Sequence, residues 1–220
     1  MGQTASISAS LHQYILERGT SESSHAQKLR HATEQHEMMR MMSSPEQTQL
    51  LVLLLQLIAA KRVIEIGVYS GYSTLRMAEA LPDTGEIFAC DISEEWMQIG
   101  KPFWQEAQVN HKIIPVIAPA LDTLQRFIDE GQAGLFDLIY IDADKSNNIA
   151  YYHLALQLIR SKGLIVIDNM FLGQRVLNLH DDSTETTAVR ELAALIHADR
   201  SVTSVLLPVG DGISVMMKTS

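Results

Sequence analysis

Beyond Ala60 the chain alternates short runs rich in Ile and Val with longer segments of mixed polarity. The apolar runs fall at residues 62–66, 87–90, 112–117, 137–141 and 164–167, and helical patterns separate them at 73–81, 94–108, 121–130 and 148–161. Runs that are apolar on both faces suit strands buried inside a parallel sheet. Alternation at this spacing predicts repeated βαβ units with right-handed crossovers and helices on both faces. The end of the chain breaks that rhythm. Residues 202–207 and 213–218 are strand-like runs joined by Pro208-Val209-Gly210-Asp211-Gly212, a link too short for a crossover helix, so the last strand runs antiparallel to its predecessor. The expectation is an α/β fold, a mostly parallel seven-stranded sheet with one reversed strand.

The first forty residues read as a peripheral helical extension, residues 1–42, to a single domain spanning 1–220, with the polar stretch 19–24 dividing two segments. Met38, Met39, Met41 and Met42 follow, and core filler is the favoured reading over a flexible apolar wall above a ligand. A helix then starts cleanly and runs to about Ala60: Ser44 suits the N-cap, Pro45 the first helical position, and Gln47 the place where a capping box takes Glu or Gln.

Composition narrows the class. With 220 residues, 46% apolar and 20% charged, the chain is an ordinary globular protein. The net charge of −9 disfavours a large non-specific contact with nucleic acid. One cysteine, Cys90, sits inside an apolar run and reads as a small buried hydrophobe. No basic and apolar leader opens the chain, and the longest apolar stretch, residues 50–60, is too short to span a bilayer, so no membrane partner is expected and a cytoplasmic location is.

The chemistry-bearing residues sit where apolar runs stop. One run ends at Asp142-Ala143-Asp144-Lys145 and another at Asp168-Asn169. Parallel strands share one carboxyl-end rim, where ligands of open α/β sheets bind. If these strands are neighbours, Asp142, Asp168 and Asn169 converge as hard oxygen donors suited to Mg²⁺, Ca²⁺ or Mn²⁺, with Lys145 beside them. The competing reading is plain N-capping by each Asp. Earlier, Glu65-Ile66-Gly67-Val68-Tyr69-Ser70-Gly71-Tyr72-Ser73 follows the first strand into a helix. Gly67 and Gly71 permit a sharp turn and close backbone approach, and Ser73 suits the helix cap or a carboxylate there. The spacing is not G-x-G-x-x-G, and Glu65 would repel a pyrophosphate. Asp91 closes the second strand at the offset where an acid binds ribose hydroxyls, although it also suits a cap for the helix near Ser93. Together these fit a nucleoside with a cationic tail. His25, His31 and His36 read as solvated helix positions, and Trp96 and Trp104, eight apart, as core, with Trp96 a candidate neighbour of adenine.

On these residues, and on Ser43-Ser44-Pro45-Glu46-Gln47 and Leu207-Pro208-Val209-Gly210-Asp211-Gly212, the chain resembles the cation-dependent O-methyltransferase family of caffeoyl-coenzyme A and catechol O-methyltransferases from about Met42 onward. The resemblance implies a Rossmann-like class I methyltransferase fold and an S-adenosylmethionine-dependent enzyme, with Mg²⁺ the foremost metal. It implies cofactor contacts at Ser43, Glu65, Gly67, Val68, Gly71, Ser73, Asp91, Ala120 and Asp142. It also implies a cation on Asp142, Asp168 and Asn169, and Lys145 as base. The implied acceptor is a small catechol-like phenol, with 5-hydroxyuridine in transfer RNA as the competing one. A nicotinamide-dependent oxidoreductase is a more distant alternative. A homodimer is expected through the Leu-rich helix after Pro45 and the N-terminal helices. The chain departs from the family near the substrate: Asn148 stands where many members have Tyr, Leu172 and Gly173 follow Asp168-Asn169 where a Trp is usual, and Ala193 replaces a frequent Asn.

Overall fold

The computed structural model describes residues 7–220. Its seven strands are β1 (Arg62–Ile66), β2 (Glu86–Asp91), β3 (Ile113–Ile117), β4 (Phe136–Ile141), β5 (Ile159–Ile167), β6 (Val202–Leu207) and β7 (Ile213–Lys218), in the spatial order β3-β2-β1-β4-β5-β7-β6. β1 to β5 pair in parallel, and β7 alone is reversed, antiparallel to both β5 and β6. The reversed strand follows from the short link between residues 207 and 213.

Alternate residues of each strand feed two cores. Val63, Leu138, Tyr140 and Val166 face α3 (Pro45–Leu57), α4 (Tyr72–Ala80) and α5 (Glu94–Glu106), with α2 (Ser24–Glu34) packed outside them. Ile64, Ile139, Ile141 and Ile165 face α6 (Ala120–Asp129), α7 (Asn148–Leu158) and α8 (Thr184–Ala198). The runs lacked alternation because both faces are covered. α1 (Ala9–Gly19) buries no residue fully and lies against α3, where His12 Nε2 is 3.0 Å from Glu46 Oε1.

Three expectations need correction. β5 begins at Ile159, not at 164, so the helix before it ends at Leu158 and not at 161. Ile159 pairs with Phe136, the register then slips, Lys162 takes φ +60°, and Arg160 Nε donates to Asp137 Oδ1 at 2.6 Å. This bulge hides the strand start behind polar residues. α8 is a helix outside the expected set, although Val189, Leu192 and Ile196 recur at helical spacing and are buried. The helix after Pro45 ends at Leu57, three residues before Ala60, because Ala59 takes φ +49°.

Between β1 and β4 the connections leave for opposite sides, which opens a crevice at the strands' carboxyl ends. The ladder continues one residue beyond the strands there. Gly67 N donates to Cys90 O at 2.9 Å, Asp142 N to Ile66 O at 2.8 Å, and Asp168 N to Ile141 O at 3.0 Å. Gly67, Asp142 and Asp168 therefore stand in one row.

Candidate active site

Two glycines shape the first half of the crevice. Gly67 has φ +88°, and a Cβ on it would lie 2.0 Å from Asp142 O, so the exit from β1 passes that carbonyl only without a side chain. Gly71, at φ +75°, occupies the N-cap of α4, and its Cβ would meet the Trp104 ring at 2.2 Å. Asp91 ties the turn down: Oδ2 accepts from Val68 N and Tyr69 N, both at 2.9 Å, and Oδ1 accepts from Ser93 N at 3.0 Å. Glu65 is fully buried, and its two oxygens accept from Ser73 Oγ and Thr74 Oγ1, each at 2.5 Å. Burial pushes its carboxyl up to about 8 against those two hydroxyls, with Asp142 and Asp91 adding to the rise.

The second half holds the acids at the tips of β4 and β5. Tyr140, buried in β4, points its hydroxyl between them, 3.4 Å from Asp142 Oδ2 and 3.2 Å from Asp168 Oδ2. Ser43 Oγ lies 3.1 Å from the same hydroxyl and 3.4 Å from Asp142 Oδ2. Lys145 Nζ stands 3.4 Å from Asp142 Oδ1, whereas Asp144 accepts from Ser146, Asn147 and Tyr151. Asp168 Oδ1 accepts from Gln47 Nε2 and Asn169 N, both at 2.6 Å. Burial first, and then Asp142, push the Asp168 carboxyl up to about 7. Burial and the same two carboxylates hold the Tyr140 hydroxyl well above its usual range.

Both halves open into one cavity of about 680 Å³. Its wall includes Ser43, Gly67, Val68, Ser73, Asp91, Ala120, Asp142, Lys145, Asp168 and Asn169, with Trp96, Tyr69 and Met41 on the glycine-turn side. The donor set fits a hard divalent cation: two carboxylates that share one hydroxyl, and an adjacent amide, are oxygen ligands of the kind Mg²⁺ and Ca²⁺ take. Among the described residues no group of three His, Cys, Asp or Glu could hold a metal, so a transition-metal site of the zinc kind is not what these donors offer.

The O-methyltransferase family profile matches residues 16–219. The chain belongs to the O-methyltransferase family. It is 42% identical over 179 residues to a probable caffeoyl-CoA O-methyltransferase 2 of Dictyostelium discoideum, covering 81% of this chain and 78% of that protein. With the catechol O-methyltransferase domain-containing protein 1 of Mus musculus it shares 37% identity over 208 residues, 94% of this chain and 79% of that protein. The O-methyltransferase TomG from Streptomyces achromogenes, solved in complex with SAM, superposes with a TM-score of 0.87 at 27% identity, with 96% of each chain covered. This protein is thus an S-adenosylmethionine-dependent O-methyltransferase of the class I fold.

Within this O-methyltransferase the predicted residues do not all reach the cavity. Glu65 and Gly71 lie behind its wall: Glu65 is sealed by Ser73 and Thr74, and Gly71 is covered by Trp104, whose Nε1 donates to Gly71 O at 3.1 Å. Ser73 is not the helix cap, a place Gly71 takes. The four departures, Asn148, Leu172, Gly173 and Ala193, also stand outside the wall, and the amide of Asn148 is buried without a hydrogen-bond partner among the described residues. The two tryptophans separate, Trp104 into the core and Trp96 onto the cavity, 5.7 Å edge-on from Tyr69. His36 is no solvated bystander, because its Nδ1 lies 2.9 Å from Tyr69 OH. Of the methionines only Met42 packs against the core: Met38, Met39 and Met41 are exposed, and Met41 and Met42 line the cavity. Tyr140 and Gln47 were missed as site residues. A tyrosine inside an apolar strand reads as core, and only Gln47's capping role is a local signal.

Proposed function

We propose that this enzyme methylates one hydroxyl of a small catechol-like phenol, with a divalent cation, Mg²⁺ foremost, held by Asp142, Asp168 and Asn169. The observation that carries this reading is the Tyr140 hydroxyl shared by two carboxylates from neighbouring strand tips, on the wall of the same cavity as the glycine turn. The name of the catechol O-methyltransferase domain-containing relative supports the acceptor class. Net charge of −9 weighs against a hydroxylated uridine in transfer RNA, which needs a basic footprint.

Bound S-adenosylmethionine supplies an electrophilic methyl group, and the cation supplies Lewis acidity that favours a vicinal diol as its oxyanion. The chain's own residues do the rest. Val68, Asp91, Ala120 and Ser43, all on the cavity wall, would hold the donor, with Trp96 and Tyr69 as the neighbouring aromatic surface. Asp91 keeps the glycine turn closed, and Glu65 anchors the first turn of α4 from behind. Lys145 Nζ, 3.4 Å from Asp142 Oδ1, takes the hydroxyl proton. Holding acceptor oxygen and methyl carbon near contact provides much of the acceleration.

Two subunits pair in this reading, through α3, where Leu53 and Leu57 stay exposed in one copy. No helix among the described residues is long and apolar enough to cross a membrane. The deciding experiment is a methyl-acceptor screen with purified protein, comparing catechols with transfer RNA that lacks the modification, each with EDTA and with Mg²⁺ restored. Methylation of catechols only with Mg²⁺ is the expected result. Full activity in chelator refutes the cation, and methylation of transfer RNA alone refutes the acceptor.

A further inference from the structure

Asp168 is almost fully buried at the tip of β5, and segments from both ends of the chain converge on it. Gln47, in the first turn of α3 and itself only 4% exposed, divides its amide between two tasks. Its Oε1 accepts from Ser44 N at 2.8 Å, which serves the helix start, while its Nε2 donates to Asp168 Oδ1 at 2.6 Å. A capping role needs only the first contact. The second, between residues 121 apart in sequence, is a buried charge-assisted hydrogen bond.

The turn between β6 and β7 closes over the same place. Gly210 has φ +55°, and a Cβ there would lie 2.3 Å from Gln47 Cδ, so the turn backs directly onto the amide. Beside it, Asp211 O and Gly212 O accept from Phe171 N and Met170 N, both at 2.9 Å, and so grip the two residues after Asn169. Asp168 Oδ1 is thus occupied by two close donors, Gln47 Nε2 and Asn169 N. Oδ2 meets only the longer contact from Tyr140 among the described residues and keeps a lone pair for a further partner.

We propose that Gln47, backed by Gly210, is a positioning residue for the cation site: it occupies one oxygen of Asp168 and turns the other toward the ion. This rests on the reading of Asp168 as a cation ligand. It also accounts for two motifs that methyl transfer itself leaves idle, Ser44-Pro45-Glu46-Gln47 at one end and Pro208-Val209-Gly210-Asp211-Gly212 at the other. Outer partners that orient a ligating carboxylate are worth about 10- to 100-fold in metal affinity.

The test measures Mn²⁺ binding by electron paramagnetic resonance on the full chain, without cofactor or acceptor. Gln47→Met removes the amide and keeps the length and helix propensity of the side chain, and Gly210→Ala displaces the amide without deleting it. Gln47→Met should weaken Mn²⁺ by about 10- to 100-fold, and Gly210→Ala should weaken it in the same direction. S-adenosylhomocysteine affinity, measured by calorimetry, should hold in both. Wild-type Mn²⁺ affinity in either folded variant, whatever its melting temperature, overturns the proposal and leaves Gln47 a helix cap. A wild-type protein that binds no Mn²⁺ removes the cation reading itself, a result distinct from unchanged affinity in the variants.

Discussion

The two halves of the crevice carry similar numbers of acids and treat them in opposite ways. At the glycine turn, Asp91 accepts three backbone N–H groups within 3.0 Å and Glu65 two hydroxyls at 2.5 Å, so both are consumed by the chain itself. At the tip of β4, Asp142 meets Ser43, Tyr140 and Lys145 each at 3.4 Å among the described residues, and at the tip of β5 Asp168 commits Oδ1 to Gln47 and Asn169 but leaves Oδ2 with only Tyr140, at 3.2 Å. Acids of the first kind build a shape. Acids of the second kind retain bonding capacity for something else.

That contrast predicts separable failures. The largest is Asp168→Ala, which should lower turnover by about a thousandfold, on the several kcal/mol a Lewis acid contributes, while calorimetry finds cofactor binding retained. Comparable losses of both would show that the two halves are not separable. Lys145→Ala should follow, with a loss of about a hundredfold or more in turnover and unchanged cofactor affinity; an unaltered rate removes Lys145 as base.

On the other side, Asp91→Ala should act first on the fold and the cofactor. It leaves the buried N–H groups of Val68 and Tyr69 unpaired, at a cost of about 1–3 kcal/mol in stability. Denaturant unfolding and cofactor titration should both register it. If only turnover falls, Asp91 belongs with the second kind of acid.

The smallest effect is a pH dependence. Glu65, pushed up to about 8 by burial, keeps its proton in the folded state over a range where the unfolded chain has lost it. Folding therefore takes up a proton between the ordinary carboxyl range and pH 8. The associated stability is fully present below the unfolded value and lost as pH rises through the folded one. Glu65→Gln should flatten the fall of the unfolding midpoint between pH 5 and about 8; an unchanged slope assigns it to other groups.

How much of this was visible beforehand depended on whether a signal was local. Asp142, Asp168 and Asn169 stand at the ends of apolar runs, and strand adjacency is all that is needed to gather them. The Gly67 and Gly71 turn is similarly contiguous. The alternation predicted the sheet, including its reversed strand, because link length alone decides direction there. What escaped depends on distant partners. Gln47 meets Asp168 across 121 residues, and His36 meets Tyr69 across 33. Tyr140 differs from its apolar neighbours in β4 only by a hydroxyl, whose value appears once Ser43 and both acids surround it. β5 was cut short because a bulge interrupts it, whereas the missed α8 had its periodic signal in plain view.

The cation site is tested most directly by a crystal structure grown with Mn²⁺ and S-adenosylhomocysteine, read by anomalous scattering. One manganese peak bonded to Asp142, Asp168 and Asn169, beside the cofactor's sulfur, is the expected result. A peak elsewhere, or those side chains turned away from an empty position at full occupancy of the cofactor, would contradict it.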